Sequence, residues 1–460
     1  MSDYNPENLN SILQYAYLLK DKTLREVCQD KIENHGIKGK GNFGQVLEKH
    51  YFGYDLNSDS SPDFPDVGLE LKASPLKTLK NKSIRSKERL VLNIINYMEV
   101  HKEEFKSSSF WKKNSHLLLV FYLHDNEKDF LDYVIKLVDD WKYPSNDLQI
   151  IKKDWETIQN KIKQGQAHEI SEGDTFYLGA CTKGATAAKS LREQPFNTVK
   201  AKQRAFSLKQ GYVNHIIANI AKEEQAEYGK IIKAPLSEYE SKSLEDIVTK
   251  RFTPFYDMSD IQIAEQFNLL SHKNAKQFHS MLTKVILGVG TNQKIEEFDK
   301  ADIQVKTVRI QPNGLPKENI SFPNFKYKEI IRKDWENSDF KTILEQKFFF
   351  VFYQMENEYL KLLKVKFWNM PQADIEESKE VWLKTVELIK RGNIVKSISP
   401  KGIRKTNFPK QSENRICHVR PHARNAADTF KLPVMDKVTG QWEYTKHCFW
   451  LNTGYIKEII

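Results

Sequence analysis

The segment VGLELKASP, residues 67–75, has the pattern on which the fold prediction depends. Its LELK core alternates, so the two leucines point to one face of a predicted strand while Glu70 and Lys72 point to the other. A related segment, ADIQVKTV, occurs at residues 301–308. Two such segments in one chain indicate an internal duplication, which the surrounding sequence can test.

Three further pairs of segments repeat in the same order along the chain. The first pair carries three aromatic residues at identical spacing, the second consists of short apolar runs that read as buried strands, and the third matches at four positions. The pairs are NYMEVHKEEFKSSSF (96–110) with KYKEIIRKDWENSDF (326–340), LLLVFYL (117–123) with FFFVFYQ (348–354), and AFSLKQGYVNHII (205–217) with CFWLNTGYIKEII (448–460). Matched blocks in one order predict a duplicated unit.

The duplication predicts two tandem domains, 1–230 and 231–460, each with a central mixed sheet flanked by helices. The chain of 460 residues is too long for one ordinary core, and the charged stretch 222–245, which carries a Pro-Leu-Ser turn signal, contains the predicted boundary. Residues 154–170 and 377–392, between the matched strands, show helical periodicity. The predicted fold class of both domains is therefore α/β (α+β).

The composition favours a polyanionic partner and a reducing compartment. Lysine and arginine outnumber aspartate and glutamate by 71 to 61, which gives a net charge of +10, although many soluble proteins are basic for other reasons. The four cysteines form no CxxC pair, which argues against a structural zinc site. Because neither a signal-like N-terminus nor an apolar run of membrane-spanning length is found, the sequence predicts a soluble cytoplasmic protein.

The segment SPDFPDVGLELKASP, residues 61–75, contains side chains that could cut a phosphodiester bond. Two carboxylates can hold a hard divalent cation such as Mg²⁺, and a lysine beside them can orient an attacking water. Asp63, Glu70 and Lys72 form such a set, but a second Pro-Asp dipeptide leaves Asp66 open as the ligand. A Glu-x-Lys triplet alone is more often an ordinary ion pair on an edge strand.

A further carboxylate, Glu48, precedes this segment. The loop GIKGKGN (36–42) is basic and glycine-rich, and FGQVLEKHYFG (43–53) reads as a helix with Glu48 near its apolar face. The loop does not spell a GxxxxGK[ST] phosphate-binding motif. The alternative interpretation of Glu48 is an ordinary solvated glutamate on a helix.

Together these residues resemble a nuclease family. Lys40, Glu48, the Pro62-Asp63 dipeptide and the Glu70-x-Lys72 triplet are similar to the PD-(D/E)xK nucleases of the MutH type, and above all to the two-domain, GATC-cutting type II restriction endonucleases of the Sau kind. Segments that extend the resemblance over nearly the whole chain are KSIRSKERLVLNIINY (82–97), DTFYLGACTKGA (174–185), KAKQRAFSLKQGY (200–212) and RICHVRPHARN (415–425). Enzymes of this group belong to restriction-modification systems, which defend bacteria by cutting unmodified foreign DNA.

The resemblance implies a role for each residue of the candidate site. Asp63, which the family spacing favours over Asp66, and Glu70 would ligate Mg²⁺. Lys72 would serve the nucleophilic water, and Glu48 would complete the acidic cluster from the neighbouring helix.

The resemblance also implies where DNA would be contacted. The loop around Lys183 would read GATC in the DNA groove, although Cys181 and Thr182 stand where the MutH type is expected to carry arginine and proline. Lys40, in the basic loop before the first helix of the site, is a further expected contact.

A lysine-rich run, KTLKNKSIRSKER (77–89), follows the predicted catalytic strand directly. It favours a segment that tracks DNA phosphates through residues such as Arg85 and Lys87, because positioning contacts come mostly from Lys and Arg. A solvated loop is the alternative.

The second copy is predicted to have lost its catalytic set. Alignment of QVK with ELK places Gln304, Lys306 and Glu297 at the positions of the glutamate, lysine and aspartate, and a neutral amide cannot supply the anionic ligand that holds Mg²⁺ tightly. Positive residues near this segment and later in the half predict retained DNA binding; they are Lys300, Lys306, Arg309, Arg415, Arg420, His422 and Arg424. The resemblance suggests an effector domain, whereas a domain that only buries surface is the alternative.

The sequence therefore predicts a type II restriction endonuclease that makes Mg²⁺-dependent double-strand cuts in DNA at GATC. The chain is expected to be a monomer in solution and to pair on a palindromic target, which needs two active centres. A mismatch-repair nickase of the MutH type and a non-catalytic DNA-binding regulator are the alternatives. The appended second copy argues against the first of these, and the complete Asp63, Glu70 and Lys72 set argues against the second.

Overall fold

The computed structural model describes residues 3–28, 42–54, 61–79, 81–183, 190–222, 227–233, 242–400 and 402–460. Lys40, and most of the predicted DNA-reading loop that follows Lys183, lie outside these residues. Within them, no helix combines the length and apolar character needed to cross a membrane.

The strands, in chain order, are β1 (Glu70–Thr78), β2 (Ile84–Ser86), β3 (Leu90–Ile94), β4 (His116–Leu123), β5 (Ile135–Lys142), β6 (Leu178–Thr182), β7 (Leu191–Gln194), β8 (Asn197–Lys202), β9 (Arg204–Leu208), β10 (Tyr228–Gly229), β11 (Lys294–Ile295), β12 (Gln304–Ile310), β13 (Ile320–Ser321), β14 (Phe348–Glu356), β15 (Tyr359–Trp368), β16 (Val395–Ile398), β17 (Arg404–Thr406), β18 (Cys417–Pro421), β19 (Thr429–Lys431), β20 (Glu443–Thr445) and β21 (His447–Leu451). The α-helices are α1 (Leu9–Tyr17), α2 (Leu24–Cys28), α3 (Asn42–Val46), α4 (Tyr97–Val100), α5 (Ser109–Asn114), α6 (Ser145–Lys163), α7 (Gln210–Ile220), α8 (Leu244–Phe252), α9 (Asp260–Gln266), α10 (Phe278–Ile286), α11 (Glu296–Lys300), α12 (Tyr327–Ile330), α13 (Asp339–Leu344), α14 (Gln372–Lys390) and α15 (Thr453–Ile459). A π-helical segment, Leu47–Phe52, continues α3.

The chain divides into two compact units. The first comprises Met1–Leu244 and Asn292–Asp302, and the second comprises Glu245–Thr291 and Ile303–Ile460. The first unit is thus discontinuous in sequence, which differs from the single boundary predicted between residues 230 and 231.

The short stretch Asn292–Asp302, called here the returning segment, belongs to the first unit because of its backbone pairing. Its strand β11 pairs in parallel with β10, and the carboxylate of Glu297 accepts hydrogen bonds from the N–H groups of Ile231 and Ile232 at 3.0 and 2.8 Å. These partners lie more than sixty residues away along the chain, so no local pattern in the sequence predicts them.

A mixed four-stranded sheet, in the order β2-β1-β4-β5, forms the centre of the first unit. Strand β1 pairs in parallel with β4, and β2 and β5 pair antiparallel at the two edges. The first six residues of β4 are buried, as expected for an apolar strand covered on both faces. Apolar side chains of α1, α3 and the π-helical segment pack against Leu69 and Leu71 in one core.

A second, antiparallel sheet in the first unit has the order β3-β9-β6, and the long helix α6 contacts β6. Asp154 of α6 is buried, and its carboxylate accepts hydrogen bonds from the backbone N–H groups of Phe176, Tyr177 and Leu178 at 2.6–2.9 Å. Burial raises the pKa of Asp154 to about 6, while these N–H groups stabilise the ionised form. The contact fixes the start of β6, the strand that leads to Lys183.

The second unit contains a mixed sheet, β12-β14-β15, and an antiparallel sheet, β13-β21-β18. Two hairpins, β16–β17 and β19–β20, accompany them. The first six residues of β14 are buried, and three of its phenylalanines, Phe348, Phe350 and Phe352, share the unit's core with residues of α14 and α15. Mixed sheets flanked by helices in both units confirm the predicted α/β (α+β) class.

The two units repeat the same strand register. Strand β1 pairs with β4 over seven residues from Glu70 onward, and β12 pairs with β14 over seven residues from Gln304 onward. The antiparallel neighbour of each apolar strand then shifts register at the same step, after Phe121 in the first unit and after Phe352 in the second. A shared irregularity of this kind supports descent of both sheets from one duplicated pattern.

Contacts outside the central sheets repeat as well. The buried Tyr97 and Tyr327, which the matched aromatic blocks align, donate hydrogen bonds to the backbone carbonyls of Lys202 and Thr445. The helices α6 and α14 each contain 19 residues and each follows a proline in the same extended conformation. The helices predicted at residues 154–170 and 377–392 are confirmed as far as residues 163 and 390.

Candidate active site

The loop before β1 folds back so that Asp63 lies beside the start of the strand. Phe64 and Leu69 exchange two backbone hydrogen bonds, of 2.9 and 3.1 Å, across a single helical turn. The N–H of Asp63 donates to Oε2 of Glu70 at 3.1 Å, and the N–H of Leu71 donates to Oδ2 of Asp63 at 2.9 Å. Each carboxylate is therefore held by backbone from the segment that carries the other.

The other aspartate of this loop, Asp66, is placed elsewhere. It is exposed on the 3-10 turn Pro65–Val67, which ends at Gly68 with a φ of 63°. Glycine adopts this left-handed conformation without the strain that a side chain would cause. Of the two Pro-Asp dipeptides, the fold brings only the first aspartate to Glu70.

Two ammonium groups contact the carboxylate of Glu70, which is 1% exposed. Lys72, two residues along the strand on the same face, forms an ion pair with Oε1 of Glu70. Lys113 of α5 lies 3.7 Å from the same oxygen. Burial raises the pKa of Glu70 to about 7, the two lysines lower it, and the charge of Asp63 raises it further.

Glu48 reaches the same cluster from the helix that packs against β1. It lies in the π-helical segment Leu47–Phe52, and helices of this kind occur as short insertions that are frequent at functional sites. Burial raises its pKa to about 7, with a further rise from the charge of Asp63 and an opposing effect of Lys72. The predicted set of Asp63, Glu70, Lys72 and Glu48 is therefore brought together.

A tyrosine that sequence reasoning missed lies beside these carboxylates. The hydroxyl of Tyr54 is buried and has no hydrogen-bond partner among the described residues. Burial raises its pKa well above the usual value, and the charges of Asp63, Glu48 and Glu70 add to the rise. The hydroxyl therefore stays protonated and available as a donor next to the acidic cluster.

Lys113 was also missed by sequence reasoning. Helix α5 leads directly into β4, and the parallel pairing of β4 with β1 sets Leu117 opposite Glu70. The helix that precedes a parallel neighbour necessarily ends near the start of the strand beside it. A lysine in the last turn of such a helix is the signal that could have identified this second ammonium group.

The donors at the head of β1 fit a hard divalent cation in type and charge. No three His, Cys, Asp or Glu side chains among the described residues come close enough together to hold a metal ion. Asp63 and Glu70 nevertheless offer carboxylate oxygens, which Mg²⁺ prefers. The raised pKa values of Glu70 and Glu48 indicate that an additional positive charge would stabilise their ionised forms.

The corresponding strand of the second unit carries different groups. The amide of Gln304 donates to the side-chain oxygen of Gln346 at 2.9 Å. Burial lowers the pKa of Lys306, whose Nζ lies 5.6 Å from the centre of the Phe322 ring. The lysine thus keeps its place on the strand beside an aromatic ring rather than a carboxylate.

Two further positions of the site differ between the units. A helical segment in each unit ends at a glycine of positive φ, Gly53 (77°) in the first and Gly288 (72°) in the second, and alignment of these glycines sets Thr283 at the position of Glu48. The serine-capped helices α5 and α13 align in the same way, which sets Ile343 at the position of Lys113.

Glu297, aligned with Asp63 by sequence, serves a different purpose. It lies in the returning segment of the first unit, where its two carboxylate oxygens accept the hydrogen bonds from Ile231 and Ile232. It is therefore engaged as a backbone cap and does not act as a counterpart of Asp63.

Arg85, one of the predicted DNA contacts of the first unit, lies apart from the carboxylates. Arg85 is opposite Lys77 in the pairing of β1 with β2, seven residues from Glu70, or about 23 Å along the strand. Lys87 follows β2 and is exposed, and Lys183 is half-buried at the end of β6. Arg85 is therefore not part of the carboxylate cluster.

The strand β18 of the second unit ends in an exposed basic surface, formed by Arg420, His422 and Arg424. The guanidinium of Arg420 lies 3.9 Å from the centre of the Trp450 ring. In the strand register Arg420 occupies the position that Cys181 has in the first unit, because their partners on β21 and β9 are matched residues. The Arg420-Pro421 dipeptide therefore stands in the second unit where the first has Cys181-Thr182.

Other basic residues expected on this surface are engaged elsewhere. Lys300 is buried in the first unit, in an ion pair with Asp147. Arg309 forms an ion pair with Glu318. Arg415 forms ion pairs with three carboxylates, those of Asp374, Glu377 and Glu458. These three positive charges are paired with acids, so they do not add to the basic surface.

Comparison with known proteins defines the class. A family model described as "DNA mismatch repair enzyme MutH" matches residues 52–154, which include the turn, β1, α5 and β4 of the site. DNA mismatch repair proteins MutH are similar over shorter stretches: that of Buchnera aphidicola is 24% identical over 163 residues, 35% of this chain and 73% of its own, and that of Vibrio parahaemolyticus is 26% identical over 220 residues, 46% and 94%. Residues 52–154 of the first unit thus form a MutH-like domain.

A longer similarity defines the family. The type II restriction enzyme Sau3AI of Staphylococcus aureus is 38% identical over 458 residues, which covers 92% of this chain and 92% of that enzyme. The chain belongs to the family of Sau3AI-like type II restriction enzymes, and it is a site-specific deoxyribonuclease.

Proposed function

We propose that this restriction enzyme makes Mg²⁺-dependent double-strand cuts in DNA at GATC, that residues of the first unit carry the catalysis, and that the second unit binds DNA as an effector. The observation that carries the first part is the interlocked pair of Asp63 and Glu70 at the head of β1, with the ammonium groups of Lys72 and Lys113 at Glu70. The GATC target is inferred from the family resemblance of the whole chain.

Each residue of the site would have its own role in phosphodiester hydrolysis. A bound divalent cation supplies charge that polarises the phosphate and lowers the pKa of a water. Asp63 and Glu70 would hold it, and the hydrogen bond from Leu71 fixes one oxygen of Asp63 in place for that purpose. Lys72 and Lys113 can orient the attacking water or offset the charge that grows on the phosphate.

Double-strand cleavage of a palindrome requires two such centres. Because the second unit carries Gln304, Thr283 and Ile343 at three site positions, it is not expected to supply one. We therefore propose that the chain is monomeric in solution and that two chains pair on DNA, each cutting one strand. We expect the enzyme to act in the bacterial cytoplasm, where it would meet incoming DNA.

The second unit is proposed as the effector because it keeps an exposed basic surface while lacking the acidic cluster. Arg420 is suited to read a guanine edge, since arginine can donate two hydrogen bonds to guanine in the major groove. A second GATC bound there would promote cleavage in the first unit if DNA binds the active arrangement better than the inactive one.

The experiment that tests the function is cleavage of a linear DNA with one GATC, followed by sequencing of both ends of each product. With Mg²⁺ both strands should be cut at GATC, and a matched DNA in which GATC is changed to GTAC should stay intact. Cuts at unrelated sequences would overturn the proposed target. Products nicked in one strand would favour the alternative of a MutH-like nickase. The MutH match to the first unit is the observation that supports this alternative.

The metal requirement is expected to become stricter as pH falls. Carboxylates must be ionised to bind a metal, and burial raises the pKa of both Glu48 and Glu70 to about 7 in the metal-free protein. From pH 8 to pH 6 the Mg²⁺ concentration for half-maximal cleavage should rise by about tenfold for each proton that the metal displaces. Glu48→Gln should reduce this dependence by removing one of the two protons.

The same shifts predict the stability of the metal-free protein. Because the folded-state pKa values lie above the ordinary value of 4.5, the contribution of these groups is full below that pH and is lost as pH rises through 7. The melting temperature without metal should therefore fall from pH 6 to pH 8, and added Mg²⁺ should raise it more at pH 8. A metal requirement and a melting temperature that do not change over this range would contradict the raised pKa values.

Arg420→Ala is expected to weaken binding of a GATC duplex to the second unit by roughly tenfold, the loss of one bidentate contact to guanine. The readout is the stimulation of cleavage of a one-site DNA by a short GATC duplex, titrated for the wild type and the variant. Arg391→Ala is the matched control, because Arg391, the residue that follows α14, is exposed and paired with Glu387. Equal effects of the two substitutions would remove Arg420 from the proposed surface.

A further inference from the structure

The first unit contains a buried ammonium group that its active site does not use. Nζ of Lys300 lies 2.8 and 3.1 Å from the two carboxylate oxygens of Asp147 and 2.8 Å from Oε1 of Glu296. The rings of Tyr177 and Tyr212 lie 5.7 and 5.9 Å from the same atom. Asp147, Tyr177 and Tyr212 are here called the cage, since together they enclose one cation.

The cage and its cation come from different parts of the chain. Asp147 lies in the first turn of α6, Tyr177 precedes β6, and Tyr212 lies on α7, where its hydroxyl donates to Asp147 at 3.0 Å. Lys300 comes from the returning segment, beyond Thr291. The cage is thus completed by a side chain that follows the first part of the second unit in sequence.

The returning segment is docked at several points besides Lys300. The N–H of Gly211, at the start of α7, donates to the carboxylate of Asp302 at 2.9 Å. A Cβ on Gly211 would come within 2.1 Å of the carbonyl oxygen of Asp299, so this close approach requires glycine. The hydroxyl of Tyr228 donates to Asp299 at 2.6 Å.

The second unit has counterparts of two cage residues, Asp147 and Tyr212, and its cation comes from its own sequence. Tyr455 on α15 donates to Asp374 on α14 at 2.7 Å, as Tyr212 does to Asp147. The cation there is the guanidinium of Arg415, which is paired with Asp374 and lies 5.2 Å from the Tyr455 ring.

The first unit carries no basic residue at the position of Arg415. The register of β6 and β18 against their matched partners sets Phe176 at that position. The cation of the first unit must therefore come from elsewhere in the chain, and Lys300 supplies it.

The place of Lys300 in the chain connects the cage to the second unit. Three residues separate it from Gln304, the first residue of β12 and the counterpart of Glu70. The backbone N–H of Ala301 donates to Glu297 and that of Asp302 to Asp299, so this short connection is itself hydrogen-bonded. Because the connection is so short, a displacement of the start of β12 would also displace Lys300.

A series of contacts within the first unit leads from the returning segment to the site. Gly211 is preceded on α7 by Gln210, whose amide donates to the carbonyl oxygen of Ser86 at 2.7 Å, and the N–H of Ser86 donates to Asn214 at 2.8 Å. Ser86 ends β2, which pairs with β1, and β1 begins at Glu70.

We propose that the Lys300–Asp147 ion pair is an intramolecular latch through which DNA bound by the second unit changes the activity of the first. The inference rests on the proposed effector function. The latch holds the returning segment against α6 and α7, and occupation of the second unit alters its engagement and hence the placement of β2 and β1. A buried pair of this kind adds little net stability, so a role in coupling the units explains it better than a role in holding the fold.

The test uses the full chain with Lys300→Met and Asp147→Asn combined, which removes both charges and avoids leaving one of them buried alone. Cleavage of a one-site DNA is measured with and without a short GATC duplex. The double variant should cut the one-site DNA at a rate within about twofold of the wild type, whereas its stimulation by the duplex should fall at least fivefold, within the usual range of coupling between sites. Lys300→Arg should retain the stimulation.

Lys294→Met is the matched control, since Lys294 lies on the same segment and is exposed. Full stimulation of the folded double variant would overturn the latch and leave the effector function standing. Equal loss of activity on one-site DNA with and without duplex would show a structural role and also overturn it. A wild-type chain that the duplex does not stimulate would overturn the effector function and the latch with it.

Discussion

Replacement of Glu70 by glutamine is expected to lower the rate of DNA cleavage by more than about 100-fold. Loss even of a group that merely supports a metal ligand costs about 10–100-fold, and Glu70 is proposed to be a ligand itself. The substitution keeps the shape of the side chain and its place at the head of β1, where it accepts from the N–H of Asp63. It also reproduces the residue that the second unit carries, Gln304.

The measurement is single-turnover cleavage of a GATC duplex, with binding of the same duplex followed separately in Ca²⁺. Binding should change by no more than a few fold, because the substitution removes one negative charge and leaves the proposed DNA-contacting lysines and arginines unchanged. Gln304→Ala is the matched control and should cut at the wild-type rate. Retained cleavage by the Glu70 variant would reassign the metal ligand.

A second comparison tests whether the duplicated strand can regain activity. A chain with Glu70→Gln and Gln304→Glu together should remain inactive, because Thr283 and Ile343 stand at two other positions of the site and Glu297 is engaged with backbone of the first unit. Recovered cleavage in that chain would contradict a non-catalytic second unit.

Replacement of Lys72 by methionine should lower the cleavage rate by about 100- to 1000-fold, the usual cost of losing one group that stabilises charge in the transition state. Methionine keeps most of the length of the side chain, so the strand face is preserved. Lys113, 3.7 Å from Glu70, remains as a second ammonium group and should leave measurable residual activity.

The rate of the chemical step and the affinity for DNA separate this role from others. A drop in rate at saturating DNA, with unchanged affinity, is expected for a group that acts at the phosphate. Lys306→Met, at the matching position of the second unit, should leave the chemical step unchanged. A similar decline in both variants would indicate that the strand lysines support folding.

The strands of the central sheets could be predicted from the sequence because they are marked by local patterns of apolar residues. The apolar runs that became β4 and β14 are continuous, buried and matched, so periodicity alone identifies them. The alternation of LELK likewise sets Glu70 and Lys72 on one face, and their ion pair confirms it. The backbone fold was needed to distinguish Asp63 from Asp66, because the helical turn that contains Asp66 reverses the chain and brings Asp63 back to β1.

The remaining features depend on contacts between distant parts of the chain. Lys113 lies close to Glu70 because β1 pairs in parallel with β4, and a local sequence pattern does not show which strands pair. The alignment of Glu297 with Asp63 was correct in spacing and misleading in role, because the returning segment pairs with β10 of the first unit. The domain boundary differed for the same reason.

The returning segment also sets the order in which the chain can finish folding during its synthesis. The first unit is complete only when Asp302 has been made, about 60 residues after Leu244. At a ribosome speed of about 5–20 residues per second, this is a delay of roughly 3–12 s. During synthesis, the first unit therefore waits for α8, α9 and α10 of the second unit to be translated before the returning segment can pair with β10 and contact α7.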